Sequence, residues 1–411
     1  MREQQFVMFK QLLSRLAEES PFYKSKFEKE GTNIDQITSQ EDIAILPLTT
    51  KEELRDAYPL GLQAVPDEEI VRIHSSSGTT GKPIIIPYTQ KDVDTWAEMM
   101  ALCFKTAGIT NLDRVQITPG YGLWTAGIGF QAGVEKLGAM AVPMGPGNTE
   151  KQLQMMLDLN STVLCSTSSY ALVLAEEVQK RGIREQIKLK RGIIGSERWG
   201  EKMRNRIINE LGIDVYDIYG LTEIYGPGIA IDCECHSGMH YWDDKLYFEI
   251  IDPITEKVLK GGEYGELVIT TLTKEGAPLL RYRTRDLTRI IPGECSCGLS
   301  YPRIDRIIGR TDDMVKVKGV NIYPGQIDEI LRSVEGASSE YNVVINHVSG
   351  KDTMTLRVEK EAEAFAESVA AKVSHLFKTK VGILINTEVL EIGDLPRSEK
   401  KSKRIYDYRE N

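Results

Sequence analysis

The chain has 411 residues, of which 27% are charged and 41% hydrophobic, and a net charge of −9. This length exceeds what one hydrophobic core serves, so we expect at least two domains, and the acidic balance argues against a nucleic-acid-binding protein. No apolar run is long enough to span a bilayer, and the segment after Met1 lacks the apolar core of a signal peptide, so we expect a cytoplasmic protein with no membrane partner.

The first part of the chain predicts helices followed by a polar loop between two strands. Apolar residues at helical spacing predict an N-terminal helix over 5–28, and Thr50 followed by Glu53 predicts a capped helix start. The segment 75–83, Ser-Ser-Ser-Gly-Thr-Thr-Gly-Lys-Pro, separates the predicted strands 71–74 and 84–86. Its hydroxyl groups, N–H groups and one ammonium suit polyphosphate, although its glycine spacing is not that of the Walker loop and a solvated turn is the alternative.

A second loop, residues 119–130, follows a predicted helix (90–107) and a predicted strand (114–118) and combines aromatic residues with glycines. Glycines let the backbone approach a flat ligand, and aromatic rings can form its walls. We therefore expect Tyr121, Trp124 and Gly127 to line a substrate pocket. A turn whose aromatic side chains fill the core is an equally weighted alternative.

Helices and strands alternate between residues 150 and 194, which predicts parallel strands with crossover helices. Ser196 and Glu197 follow the last of these strands, at the edge where ligands of open α/β sheets gather. A β-rich run, 215–219, then leads through Gly220 to Thr222 and Glu223. A carboxylate beside polyphosphate suits Mg²⁺, although such a string is more often an ordinary turn.

Four of the six cysteines form two Cys-x-Cys pairs, Cys233 with Cys235 and Cys295 with Cys297. Two groups of soft ligands on separate loops suit a structural tetrahedral zinc ion. We favour the ligand set Cys233, His240, Cys295 and Cys297, with Cys235 or His236 as rival ligands. Two exposed, reduced pairs are the alternative interpretation.

The last hundred residues predict a small α+β domain, and we place the domain boundary between 1–310 and 311–411. The predicted helices are 324–334 and 362–378, and the predicted strands are 342–347, 353–359 and 383–389. A basic tail, 395–404, ends this part.

Four ordered segments together resemble the adenylate-forming acyl-CoA synthetases: 75–83, 219–223, 282–287 with 309–313, and 395–398. Within that superfamily the chain resembles the phenylacetate-CoA ligase branch in its short N-terminal region, its overall length, the Tyr-Gly-Leu-Trp loop and the Gly-Val-Asn-Ile-Tyr-Pro segment at 319–324. The resemblance implies an α/β fold with a large N-terminal domain of several subdomains, whose mixed or parallel sheets are flanked by helices. It also implies a small, hinged α+β C-terminal domain.

The resemblance implies a role for each matching residue. Ser76, Thr79, Thr80 and Lys82 would hold the β- and γ-phosphates of ATP, and the adenine would be framed by Ser196, Glu197, Tyr216, Asp217 and Tyr219. Thr222 would contact the α-phosphate, Glu223 would hold Mg²⁺, and Asp286, supported by Arg310, would accept the ribose hydroxyls. Asp312 would be the hinge, and Lys401 the catalytic lysine. Lys400 stands where related enzymes usually have glycine, so Lys400 or Lys403 could take the role of Lys401.

The implied activity is an ATP-dependent ligation of an aryl acid, by family default phenylacetate, to CoA. It would proceed through an acyl-adenylate and release diphosphate and AMP. Two alternatives stay open, an enzyme that loads an aryl acid onto the phosphopantetheine arm of a carrier protein and a nucleotide-binding regulator without activity. A homodimer is a further expectation.

Overall fold

The computed structural model describes residues 3–76, 82–197, 199–348, 351–398 and 403–409. The helices are α1 (Glu3–Glu19), α2 (Pro21–Glu30), α3 (Lys51–Asp56), α4 (Gln90–Thr106), α5 (Thr125–Leu137), α6 (Thr149–Asp158), α7 (Ser168–Arg181), α8 (Glu201–Leu211), α9 (Pro324–Ser333) and α10 (Ala366–Lys380). Short 3-10 turns cover Ile34–Gln36, Glu41–Ile45 and Asp67–Glu69.

The strands follow in the same numbering. They are β1 (Ile70–Ser75), β2 (Ile85–Thr89), β3 (Arg114–Ile117), β4 (Met140–Pro143), β5 (Val163–Thr167), β6 (Arg191–Gly195), β7 (Asp214–Leu221), β8 (Gly226–Asp232), β9 (Met239–Tyr241), β10 (Leu246–Ile251), β11 (Gly265–Thr271), β12 (Tyr282–Thr288), β13 (Ile290–Ile291), β14 (Arg303–Ile304), β15 (Gly309–Arg310), β16 (Val315–Val317), β17 (Val320–Ile322), β18 (Ala337–Val348), β19 (Lys351–Lys360), β20 (Asn386–Leu390) and β21 (Ile405–Asp407).

The chain divides into two compact units. The first unit is Met1–Gly145, Thr162–Cys165 and Tyr216–Ile307, and the second is Pro146–Ser161, Ser166–Val215 and Ile308–Asn411. Helices and strands are mixed in both units, which confirms the predicted α/β class. The boundary between 1–310 and 311–411 stays a prediction.

The first unit contains parallel and antiparallel strand pairs. β3 pairs in parallel with β4 and with β5, as the alternation of helices and strands predicts. The antiparallel pairs of the same sheet are β7 with β8, β8 with β9, β9 with β14, and β14 with β13. β10, β11 and β12 form an antiparallel run. Every residue of β8 and of β11 is buried, so these strands lie within the core and support the loops at their ends.

The N-terminal segment differs from its prediction as one helix over 5–28. The structure has two helices, because Ser20 caps α2 by accepting a hydrogen bond from the Tyr23 N–H at 3.4 Å and Pro21 opens the new helix. Proline has no N–H to continue the preceding helix and is favoured in a first turn. The predicted cap of α3 is confirmed, since the Thr50 N–H donates to the Glu53 carboxylate at 2.8 Å and Thr50 Oγ1 accepts from the Glu53 N–H.

In the second unit, residues 315–405 form an apolar core of their own. β18 and β19 pair antiparallel, with β21 parallel to β18 and β20 parallel to β19. Side chains of α9 and α10, including Ile327 and Phe377, pack with the strands in one buried cluster. This is the small α+β domain that the sequence predicts.

A buried histidine lies at the end of β1 in the first unit. The His74 ring packs edge-on against Tyr88 and Trp96, with centroid distances of 5.3 and 5.5 Å. Its Nδ1 lies 3.2 Å from the Leu123 carbonyl oxygen, which can only accept, so Nδ1 carries the proton of a neutral ring. Burial lowers the pKa of His74 to about 4.

We expect the substitution His74→Phe to flatten the pH dependence of stability. Because a histidine in the unfolded chain has a pKa of about 6.5, the unfolded chain binds a proton between pH 6.5 and 4 that the folded chain does not, so acid favours unfolding. The free energy of unfolding of the native chain should fall by about 2 kcal/mol more than that of the variant between pH 7 and pH 5. Urea denaturation at both pH values measures this difference, and equal losses in both proteins would contradict it.

Candidate active site

The turn between β7 and β8 carries the predicted segment 219–223. At Gly220 an added Cβ would collide with the carbonyl oxygen of Gly226 and lie 2.5 Å from Cα of Pro227. Only glycine permits this approach of two backbones. The strand register shifts at the same place, between Tyr219 and Gly220.

Two of the predicted nucleotide-binding residues are joined in this region. The Tyr219 hydroxyl donates a hydrogen bond of 2.6 Å to the carboxylate of Asp286, which lies on β12. Both residues are buried, with 8% and 4% of their surfaces exposed. A short hydrogen bond to a carboxylate fixes the orientation of both groups. Tyr216, also buried, packs its ring against His236 at a centroid distance of 5.4 Å, and Asp217 lies on the same strand as Tyr219.

Glu223 is a buried carboxylate at the end of this turn. Its Oε1 lies 3.3 Å from the ammonium of Lys51, and Lys274 donates hydrogen bonds to the carbonyl oxygens of Glu223 and Ile224. Lys274 is fully buried, and burial lowers its pKa to about 7. Neither lysine is singled out by the sequence analysis, because a lysine next to a capped helix start or in a hairpin carries no local signal of a distant carboxylate.

Thr222 connects this turn to the aromatic loop. Its hydroxyl lies 3.3 Å from the hydroxyl of Thr125, the first residue of α5. Two residues further along α5, a Cβ at Gly127 would lie 2.7 Å from the Tyr121 ring and 2.8 Å from the Gly120 carbonyl oxygen. The glycine therefore lets the Tyr121 ring approach the helix backbone closely. Burial raises the pKa of Tyr121, whereas Trp124 is 45% exposed.

The described ends of the predicted phosphate loop are closed by hydrogen bonds. The Ser76 N–H donates to the Ile84 carbonyl, and the Ile84 N–H donates to Ser76 Oγ, both at 3.0 Å. The Ser75 N–H donates to the Leu123 carbonyl at 2.8 Å, which ties this loop to the aromatic loop. Lys82 places its ammonium 5.7 Å from the centroid of the Tyr58 ring. Thr79 and Thr80 lie outside the described residues.

The remaining predicted residues belong to the second unit. Ser196 follows β6 with a left-handed φ of 68°, and Glu197 accepts hydrogen bonds from the Ser169 N–H at 3.3 Å and hydroxyl at 2.7 Å. Arg310 donates to both carboxylate oxygens of Asp312, at 2.8 and 3.0 Å. Lys401 and Lys400 lie outside the described residues.

The four favoured metal ligands come together in the first unit. The donor atoms of Cys233, His240, Cys295 and Cys297 all lie within 4.8 Å of one another. The Cys233 and Cys295 sulfurs are 3.7 Å apart, and Cys297 Sγ is 3.3 Å from His240 Nε2. The two rivals have other partners, since Cys235 Sγ lies 3.1 Å from Ser296 Oγ and His236 Nδ1 lies 2.6 Å from the Asp232 carboxylate.

The backbone explains this convergence. β9 pairs antiparallel with β14 and places His240 opposite Arg303, and Arg303 donates hydrogen bonds to the carbonyls of Ser237 and Glu294, one in each of the two cysteine-bearing loops. His240 Nδ1 lies 2.7 Å from the Tyr301 carbonyl oxygen, which only accepts, so Nδ1 is protonated and Nε2 presents its lone pair to the sulfurs.

Of the helices that the structure describes, none is long and apolar enough to cross a membrane.

Two family domains match the chain. The AMP-binding enzyme domain matches residues 12–273, and the AMP-binding enzyme C-terminal domain matches residues 319–409. The fold and the site therefore define an AMP-binding enzyme with its C-terminal domain.

Curated relatives and solved structures narrow this class. The chain is 42% identical to a phenylacetate-coenzyme A ligase of Pseudomonas putida, over all of this chain and 94% of that protein. It is 41% identical to the phenylacetate-coenzyme A ligase of Escherichia coli (strain K12), over 97% of this chain and 92% of that protein. The chain belongs to the phenylacetate-coenzyme A ligase family.

A related enzyme has been solved in more than one state. The structure of 2-hydroxyisobutyryl-CoA ligase in the postadenylation state, bound to an acyl-AMP, has a TM-score of 0.89 and 29% identity, covering 99% of this chain and 89% of that one. The same enzyme in the thioesterification state, with acyl-AMP and CoA, has a TM-score of 0.73 and 30% identity, covering 99% and 90%. These relatives confirm the predicted enzyme class, an AMP-forming acid–thiol ligase that uses ATP and CoA.

We expect Gly220→Ala to destabilise the first unit and disturb the site. The added methyl group meets backbone atoms that cannot rotate away, so the free energy of unfolding should fall by about 1–3 kcal/mol. Gly261→Ala is the matched control, because a Cβ there has open space around it and the change should cost less than about 0.5 kcal/mol. Urea denaturation of both variants measures the difference. Equal stability would show that the β8 backbone shifts to accommodate the added methyl group.

Proposed function

We propose that this chain joins an aryl acid, phenylacetate in the first instance, to coenzyme A in an AMP-forming reaction. The observation that carries the proposal is the buried Tyr219–Asp286 pair beside Glu223, in a chain that matches phenylacetate-coenzyme A ligases along its whole length. The pair offers an aromatic face for a purine and a carboxylate for the ribose hydroxyls. The Tyr121 ring against Gly127 supports a flat acyl group.

The phosphate groups of ATP would be held by two segments of the chain. Thr222 at the end of β7 would contact the α-phosphate, and the segment that starts at Ser76 would receive the β- and γ-phosphates with Lys82. Glu223 fits a magnesium ion, since Mg²⁺ takes one or two carboxylates and completes its shell with water and phosphate oxygens. When bound, Mg²⁺ would neutralise phosphate charge, and the Lys51 ammonium, 3.3 Å from Glu223 Oε1, pairs with the carboxylate that would hold the ion.

The reaction has two steps because a carboxylate cannot lose oxide to a thiol. The substrate carboxylate attacks the α-phosphorus of ATP, which forms an acyl-adenylate and releases diphosphate. The thiol of CoA then attacks the acyl carbon, and AMP leaves. In the first step negative charge gathers around phosphorus, where Lys401 and Thr222 would stabilise it. Ser196, Glu197, Tyr216 and Asp217 would frame the adenine, and Arg310 would support Asp286.

The C-terminal domain would turn about Asp312 between these steps, so that Lys401 serves the first and withdraws for the second.

The cytoplasmic location and the homodimer stay predictions from the sequence.

The function is tested by two assays on the purified chain. ATP–pyrophosphate exchange is measured with phenylacetate, hydroxylated phenylacetates, indole acetate and benzoate, and thioester formation is then measured with free CoA. We expect exchange with at least one aryl acid and its CoA ester as product. Exchange without a CoA product would favour transfer to a carrier protein, and no exchange with any acid would refute both enzyme proposals.

The substitution Lys401→Ala should separate the two steps. Loss of one charge that stabilises the first transition state should slow acyl-adenylate formation by about 10²- to 10³-fold. Thioester formation from supplied phenylacetyl-adenylate and CoA should change little. Equal loss in both steps would show that the lysine has been misassigned, and the same selective loss in Lys403→Ala would move the role to Lys403.

We also propose that Cys233, His240, Cys295 and Cys297 hold a structural zinc ion. A tetrahedron with zinc–sulfur bonds of about 2.3 Å has sulfur–sulfur edges of about 3.8 Å, close to the 3.7 Å between Cys233 and Cys295. The hydrogen bond of His240 Nδ1 to a carbonyl is the outer contact that zinc-binding histidines usually make. The ion would clamp the two loops and take no part in catalysis.

We expect the native chain to contain one zinc ion. The substitution Cys297→Ser should lower the zinc content, whereas Cys235→Ser should not. Zinc prefers four N or S ligands in structural sites, so loss of one thiolate should lower metal content from about one ion per chain to well below half after dialysis. Elemental analysis by mass spectrometry measures this. Equal zinc content in both variants would contradict the ligand set, and a zinc-free native chain would contradict the site.

A further inference from the structure

The tail of the chain is tied to β19 by one buried carboxylate. Glu359, with no exposed surface, accepts hydrogen bonds from the N–H groups of Gly393 and Leu395 at 3.1 and 2.9 Å. It also accepts two hydrogen bonds from Arg397, both at 2.9 Å. Glu359 lies on β19, whose residues Leu356 and Val358 belong to the apolar core of residues 315–405, so these contacts hold the start of the tail to the C-terminal domain wherever that domain lies.

Arg397 makes a second set of contacts, to Glu176 on α7. Its Nη2 donates to Glu176 Oε1 at 2.8 Å, and its Nε donates to Oε2 at 3.0 Å. Arg206 on α8 donates to the same carboxylate at 3.0 Å and to Glu210 at 2.9 Å, which orients Glu176. Although burial opposes ionisation, hydrogen bonds from Arg397 and Arg206 hold the pKa of Glu176 below its usual value.

Lys202, also on α8, reaches the C-terminal domain in a different way. Its ammonium donates to the Val334 carbonyl at 2.8 Å and to the Ala337 carbonyl, at the end of α9 and the start of β18. All of these residues lie in the second unit. α7 and α8 therefore hold the C-terminal domain by charged hydrogen bonds at two points.

We propose that Glu176 is a positioning residue that holds the tail, through Arg397, in the arrangement that forms the acyl-adenylate. The inference rests on the proposed function. The structure resembles the postadenylation state of 2-hydroxyisobutyryl-CoA ligase more closely than its thioesterification state. A turn of the C-terminal domain would preserve the Arg397–Glu359 contact and break the Arg397–Glu176 contact, so only the latter distinguishes the two arrangements.

The position of Arg397 makes this contact relevant to catalysis. Arg397 precedes Lys401 by four residues, and four residues span at most about 14 Å. A fixed Arg397 therefore restricts where the lysine can go. Because the contact favours one arrangement without touching the substrate, its loss should shift the balance between the two steps rather than impair both.

The substitution Glu176→Gln tests this role. We expect the rate of thioester formation from supplied phenylacetyl-adenylate and CoA, divided by the rate of ATP–pyrophosphate exchange with the accepted aryl acid, to rise about tenfold. Glu177→Gln is the matched control, because the neighbouring Glu177 forms ion pairs within α7, with Lys180 and Arg181, and its ratio should stay unchanged. Lys202→Met removes the second point of attachment and should raise the ratio in the same direction.

Each other result overturns the inference. An unchanged ratio in both Glu176→Gln and Lys202→Met, whether both steps slow equally or neither changes, would show that these contacts only support the fold. A ratio that rises equally in Glu177→Gln would show a general effect of charge on α7. If the native chain forms no acyl-adenylate with any aryl acid, the proposed function fails, which the native control reveals before any variant is compared.

Discussion

The close approach of β7 and β8 at Gly220 is the constraint on which the residues of the proposed nucleotide site depend. Because no side chain separates the two backbones there, the chain can reverse within a few residues. Tyr219, before the glycine, reaches Asp286, and Glu223, after it, enters a buried position beside Lys51. A ring, a hydroxyl and two carboxylates thus converge on one turn. The fully buried strand β8 supports that turn, so these groups are oriented before any ligand arrives.

Features that arise from short spacing could be predicted from the sequence. The cap of α3 needs only Thr50 and Glu53, and the alternation of apolar segments is enough to indicate parallel strands. The two cysteine pairs are also local signals of a metal site, and the structure brings three of their sulfurs together with His240. The single helix expected over 5–28 was wrong because apolar periodicity continues through Pro21, where the backbone cannot.

Contacts between distant charges could not be predicted in this way. Arg397 and Glu176 are separated by 221 residues, and nothing near either residue in the sequence indicates the other. With 51 cationic and 60 acidic side chains in the chain, any one has many candidate partners, and only the fold selects among them. The same holds for Lys51 and Lys274 around Glu223. The motif residues were therefore identifiable, whereas the residues that orient them were not.

The types of contact in the second unit fit the proposed turn of the C-terminal domain. Residues 315–405 bury their own apolar side chains, so this core would stay intact during such a movement. Its attachments to α7 and α8 include charged hydrogen bonds, from Arg397 to Glu176 and from Lys202 to two carbonyls. Exposing apolar surface would cost about 25 cal/mol per Å², whereas separated charges regain water and lose little net free energy. An attachment of this kind can open without exposing apolar surface, so a free-energy difference of about 1.4 kcal/mol, tenfold in the equilibrium, is enough to set which arrangement prevails.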